Sequence, residues 1–153
     1  REKREFMKLT SYTDYSLRVL MFLSLRGNDQ LTKIDEISEA HNIKRNHLTK
    51  IIHELGRLGY VETIRGRNGG VRLQRDPETI NIGEVVRRTE EDFYLLDCFD
   101  SNGPNTCVLT PVCRFKSILN EALQAFFHVL DQYTLADITS NKSQVLSMLQ
   151  LQD

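Results

Sequence analysis

A chain of 153 residues, 40% of them hydrophobic, is long enough to bury one core without covalent staples. It has no run approaching the about 18 to 20 apolar residues of a membrane span, and its three cysteines cannot make a complete disulfide framework, so a soluble cytoplasmic protein is expected. The net charge of -1 hides a division, with fifteen Lys plus Arg against nine Asp plus Glu in residues 1–75 and five against twelve in residues 76–153. Eight of the basic residues fall between Lys44 and Arg75, opposed only by Glu54 and Glu62. A basic block in an otherwise acidic chain points to a polyanionic partner.

Taken in chain order, residues 1–6 are a charged extension or a remnant of expression and are set apart from the fold. Asp14 to Arg26 carries Leu17, Leu20, Met21, Phe22 and Leu23 at helical spacing and is stopped by Gly27 and Asn28. Thr32 and Asp35 resemble a capping box that opens a short helix through Ile34, Ile37 and Ala40. After His41 and Asn42 a third helix buries Ile43, Leu48, Ile51, Ile52, Leu55 and Leu58, and Gly59 ends it. The tight turn before this last helix makes a helix-turn-helix. Tyr60 to Arg65 and Val71 to Arg75 then read as two strands joined by Gly66-Arg67-Asn68-Gly69-Gly70. A hairpin directly after a basic third helix forms a wing.

A helix fits the major groove, and polar residues at its N-terminal end reach base edges and phosphates. Lys44, Arg45, Asn46, His47 and Lys50 occupy that end, with Arg45 as the phosphate clamp and Asn46, His47 and Lys50 as base or phosphate readers. Arg65, Arg67 and Arg72 surround the wing tip, where Arg67 is placed to enter a narrow minor groove. Beyond the wing, Ile80 to Val86 introduces another short helix.

Cys98, Cys107 and Cys113 fall within sixteen residues in a stretch rich in Asp, Ser, Asn, Gly and Pro. Such a loop offers little core for buried thiols and suits thiolates folded around a metal centre, with a position left vacant by the missing fourth cysteine. After Pro111, the apolar residues Phe115, Leu119, Ala122, Phe126, Val129 and Tyr133 step as a heptad seam. A second row, Ile118, Leu123, Phe127 and Leu130, gives this helix more apolar surface than one core face requires. One row is expected to pack on its own domain and the other on a twin helix, making a homodimer. A weaker helical tail follows Thr134 through Val145, Leu146, Met148 and Leu149.

The expected fold is therefore mainly α with a small β-hairpin wing: a winged helix-turn-helix domain over residues 7–87, a cysteine loop over 88–113, and a long dimerisation helix with its tail over 114–153. Two recognition helices about one helical turn apart suit a palindromic double-stranded operator.

Met7 to Tyr15, Lys44-Arg45-Asn46-His47-Leu48, Leu58-Gly59-Tyr60-Val61, Arg65 to Leu73 and the three cysteines together resemble the Rrf-two family of iron-sulfur winged-helix regulators, in its nitric-oxide-sensing branch. The likeness runs from Met7 almost to the end. It implies a DNA-binding transcriptional repressor, not an enzyme, that senses nitric oxide through an iron-sulfur cluster and releases its operator on nitrosylation. It also implies a 4Fe-4S cluster in preference to 2Fe-2S, held by Cys98, Cys107, Cys113 and Asp14 of the partner subunit. A related branch uses a histidine two residues beyond the third cysteine, but here the neighbourhood is Arg114, Phe115, Lys116 and Ser117. The chemistry is consistent, because thiolates are the usual holders of such clusters and a carboxylate is a harder, more easily displaced ligand. Alternatives remain open at this level: a regulator responding to iron-sulfur supply or redox state, a zinc-stabilised repressor, or a cluster-based electron carrier. Against the last stands the lack of a Cys-x2-Cys ferredoxin run.

Overall fold

Residues 7–151 are described by the computed structural model, and the charged extension 1–6 lies outside the described residues. Helix α1 spans Ser11–Arg26, three residues earlier than its apolar pattern suggested, because Thr10 caps it by accepting the N–H of Thr13 at 3.3 Å. It stops at Gly27, whose φ of 76° belongs to the left-handed region that glycine adopts without strain, and whose N–H closes on the Leu23 carbonyl at 3.1 Å.

Helix α2 covers Ile34–His41. The expected Thr32/Asp35 capping box is corrected: the N-cap is Lys33, whose N–H donates to Glu36 Oε2 at 3.3 Å. Thr32 is instead buried and paired with Val71, each N–H donating to the other's carbonyl at 2.9 and 2.8 Å. Asn42, with φ 52°, turns the chain into helix α3, Arg45–Arg57. Leu48, Ile51, Ile52 and Leu55 form its buried stripe.

The wing is shorter than its apolar runs: β1 is Val61–Ile64 and β2 is Gly70–Leu73, antiparallel with Val61 opposite Leu73 and Ile64 opposite Gly70. Any Cβ at position 69 would collide with the Ile64 carbonyl, so the turn admits only glycine there. Helix α4, Ile82–Thr89, begins at Asn81, whose side chain accepts the Glu84 N–H at 3.0 Å. Residues 90–113 hold only short 3-10 turns at Asp97–Phe99 and Thr110–Val112. Helices α5 (Arg114–Leu130), α6 (Leu135–Ile138) and α7 (Lys142–Met148) complete the described chain.

One hydrophobic cluster unites these elements: Val19, Leu20, Phe22 and Leu23 of α1, the stripe of α3, Tyr60 and Val71 at the wing base, and Val85 and Val86 of α4. Full burial of such a side chain is worth about 1.5–3 kcal/mol. The cluster also contains Phe127 of α5 and Leu135 of α6, so the core crosses the boundaries drawn at 87/88 and 113/114. The C-terminal segment is two short helices rather than one tail, and it returns to the core through paired strand-like residues, with Leu135 N–H donating to the Ile80 carbonyl at 2.8 Å and Ile82 N–H to the Tyr133 carbonyl at 3.0 Å.

The two apolar rows of α5 separate. Leu123, Phe127 and Leu130 pack on the core, while Phe115, Phe126 and Val129 stand 57%, 42% and 53% exposed. Ile118 departs from its row and is exposed, and Tyr133 lies beyond the helix, which ends at Leu130.

Candidate functional site

The N-terminal half of α3 and its N-cap present Lys44, Asn46 and Lys50 to solvent, and exposed His47 stacks on Tyr15 of α1 with ring centroids 6.5 Å apart. Arg45 and Arg72 each have a carboxylate partner. Arg45 holds both oxygens of Asp35 at 2.9 and 3.1 Å, and Arg72 holds Glu62 at 2.6 and 3.1 Å across the hairpin. Their charges are shared with carboxylates, whereas Lys44, Lys50, Arg65 and Arg67 have no ion-pair partner among the described residues. The Arg45–Asp35 pair brings the first turns of α2 and α3 together. At the wing tip, the Lys33 ammonium donates to the Arg67 carbonyl at 3.0 Å, a contact between residues too distant in sequence for a local pattern to indicate.

The cysteines lie on the outer loop. Cys98 is half-buried in the 3-10 turn at 97–99, Cys107 is exposed, and Cys113 is half-buried as the N-cap of α5. All three are free thiols. Short polar bonds shape the loop: Asn102 N–H donates to Asp100 Oδ1 at 2.9 Å, Cys107 N–H to Asn105 Oδ1 at 3.1 Å, and Asn105 Nδ2 to Thr110 Oγ1 at 2.8 Å. Cys113 Sγ accepts the Lys116 N–H at 3.4 Å, which seats this sulfur at the N-terminus of α5.

The donor set is soft, unpaired by disulfides and confined to one loop, which suits an iron-sulfur group. Among the described residues, no three Cys, His, Asp or Glu side chains converge on one point. Asp14 sits in the first turn of α1 and is held by Arg18 through both carboxylate oxygens, at 2.9 and 3.1 Å.

Between head and loop lies α4, whose last residues grip three neighbours. Arg87 holds both oxygens of Asp131 at the end of α5, at 2.6 and 2.8 Å, and lies 4.3 Å over the Phe127 ring. The hydrogen bond from Arg87 holds the Asp131 carboxyl below its ordinary pKa. Arg88 donates to the Leu58 carbonyl at the end of α3, at 3.2 Å, and shares the Tyr60 ring with Arg75. Burial, with Glu84 nearby, pushes the Tyr60 hydroxyl up. Glu90, the cap residue after α4, accepts from Thr10 N–H at 2.9 Å and from the Thr13 hydroxyl at 2.8 Å, fastening the start of α1. Arg87, Arg88 and Glu90 escaped the sequence reading because their partners lie 30 to 80 residues away.

No helix among the described residues is long and apolar enough to cross a membrane. Residues 9–141 match the family model described as Rrf2, iron-dependent transcriptional regulator. The chain is 56% identical over 147 residues to the HTH-type transcriptional regulator NsrR of Bacillus subtilis, covering 96% of this chain and all of that one. It is likewise 56% identical over 143 residues to the NsrR regulator of Bacillus licheniformis, covering 94% and 99% of the two chains. Among solved structures it is similar to T. potens IscR, with a TM-score of 0.68, 24% identity and coverage of 88% of each chain. A winged helix-turn-helix joined to a cysteine loop, a family model spanning most of the sequence and relatives sharing over half of its residues lead to one conclusion: the chain belongs to the Rrf2 family of transcriptional regulators.

Proposed function

We propose that the protein is a homodimeric repressor that binds a palindromic DNA operator and releases it in response to nitric oxide. The observation that carries the DNA reading is the solvent-facing N-terminal half of α3 and its N-cap, with Lys44, Asn46, His47 and Lys50, beside a wing whose Arg65 and Arg67 have no carboxylate partner among the described residues. The exposed row Phe115, Phe126 and Val129 supports self-association along α5.

The sensing reading is supported by three free thiols on one loop and by the likeness to regulators named NsrR. Cys98, Cys107 and Cys113 would hold an iron-sulfur cluster, 4Fe-4S in preference to 2Fe-2S, with Asp14 of the partner subunit as the fourth ligand. When bound, such a cluster supplies iron reactive toward nitric oxide. For its part, Asp14 must exchange the Arg18 guanidinium for that role, because both of its oxygens are engaged. Three thiolates and a carboxylate leave one weakly held position, where a small diatomic ligand competes best.

The family description as an iron-dependent regulator favours a second reading, in which cluster occupancy itself reports iron-sulfur supply. One experiment separates the two. Protein purified without oxygen is analysed for iron and sulfide, and the binding of holo and apo forms to its own promoter DNA is measured with and without nitric oxide. Release of the holo form by nitric oxide is expected. Indifference to the gas, with binding that follows only cluster content, would favour the supply sensor, and iron-free protein of full affinity would exclude both.

A further inference from the structure

Six arginines of the basic half are tied to carboxylates: Arg18, Arg26, Arg45, Arg57, Arg72 and Arg75. As many described cations of that half have no ion-pair partner among the described residues, Lys33 with Lys8, Lys44, Lys50, Arg65 and Arg67, and Lys33 occupies a different kind of place from the others. It is the N-cap of α2, its side chain is exposed, and its ammonium donates to the Arg67 carbonyl at the wing tip, 3.0 Å away. Its backbone is fixed against the wing by the neighbouring Thr32–Val71 pairing.

The two acids that follow it do not neutralise it. Asp35 is held by Arg45 at the start of α3, and Glu36 is engaged by Arg26 at 3.4 Å and by the Lys33 N–H at 3.3 Å. The Arg45–Asp35 pair draws the first turns of α2 and α3 together, and the Arg26–Glu36 pair ties α2 to the end of α1, so Lys33 stands between the start of the helix-turn-helix and the wing tip. An ammonium carries three donors; one is spent on the Arg67 carbonyl and two remain.

We propose that Lys33 contacts a DNA phosphate and, through its bond to the Arg67 carbonyl, positions the wing arginine on the duplex. The proposal rests on the DNA-reading function above. Phosphate contact is a point-charge role that arginine can also fill, whereas glutamine keeps the polarity and loses the charge.

The test uses the full chain, as wild type, Lys33→Gln, Lys33→Arg, Arg67→Ala and the Lys33→Gln/Arg67→Ala pair. Fluorescence anisotropy follows binding to a mixed-sequence duplex of about 30 base pairs between about 50 and 200 mM salt, where affinity is almost wholly phosphate-driven. Lys33→Gln is expected to make the log affinity against log salt slope shallower by about one unit, and Lys33→Arg to restore it. The combined loss in the double variant should be smaller than the product of the two single losses, because without Lys33 the wing arginine contributes less. Urea unfolding of the variants should stay at the wild-type midpoint, as Lys33 is exposed. An unchanged slope in Lys33→Gln, or losses that multiply, would overturn the proposal. A wild-type chain without salt-dependent duplex binding would overturn the DNA reading itself, a result distinct from either of these.

Discussion

From Val19 to Val86 the head buries most of its apolar side chains, with Ile64 on the wing an exposed exception, whereas in the cysteine loop Tyr94, Leu96, Val108, Leu109 and Val112 all stand in solvent. Each segment obeys the same chemistry with a different supply of contacts. The head takes its geometry from a shared core. The loop takes its shape from Asn, Asp and Thr side chains bonding their own backbone, which sets local turns and brings no distant groups together. The first kind of order lays out the reading surface of α3, and the second carries the thiols of Cys98, Cys107 and Cys113.

The largest effect that could break this contrast is in the core. Phe22→Ala should cost about 3–5 kcal/mol in urea unfolding, since the ring is fully buried, whereas Val108→Ala in the loop should stay within about 0.5 kcal/mol. Equal costs would mean that the loop is packed as tightly as the head. Next in size is the proposed self-association: if the exposed row of α5 forms the homodimer seam, Phe126→Lys should weaken it about 30-fold or more in sedimentation velocity, without lowering the unfolding midpoint. A smaller effect tests the junction. Glu90→Gln removes the charged acceptor at the start of α1 and should cost about 1 kcal/mol, with faster amide exchange confined to the first turn of that helix.

The smallest effect is a pH dependence. Because Arg87 depresses the Asp131 carboxyl, their bond stabilises the fold above the ordinary carboxylate pKa and is lost as pH falls through the lower folded-state value. Melting temperatures of wild type and Asp131→Asn should therefore differ near neutral pH and converge in acid. The exposure of the pair keeps this difference modest.

Much of the head could be read from the sequence because its signals are local. The stripe of α3, the stop at Gly27 and the glycines of the wing each act within a few residues. Three features could not be read that way. Thr32 looked like a helix cap but is taken up by strand pairing with Val71, a competition that only the tertiary fold decides. Arg45 and Arg72 read as DNA contacts, and only the fold places Asp35 and Glu62 beside them. The row with Leu123, Phe127 and Leu130 is legible as a core face, but the return of the chain to the head's core through Leu135 of α6 is not, because its pairing with Ile80 is non-local. For the cysteines, sequence supplied donor type and clustering, and the fold adds the seat of Cys113 at the head of α5.

Glu90 has a practical consequence for anyone wishing to recombine these regulators. A chimera joined just after α4 would give the head of one protein a foreign residue at the position that fastens its own first helix, and a stranger's side chain in the hole that Leu135 fills. A head of this design can be transplanted intact only when the exchanged piece carries both residues along, so the usable unit runs past α5 to Leu135.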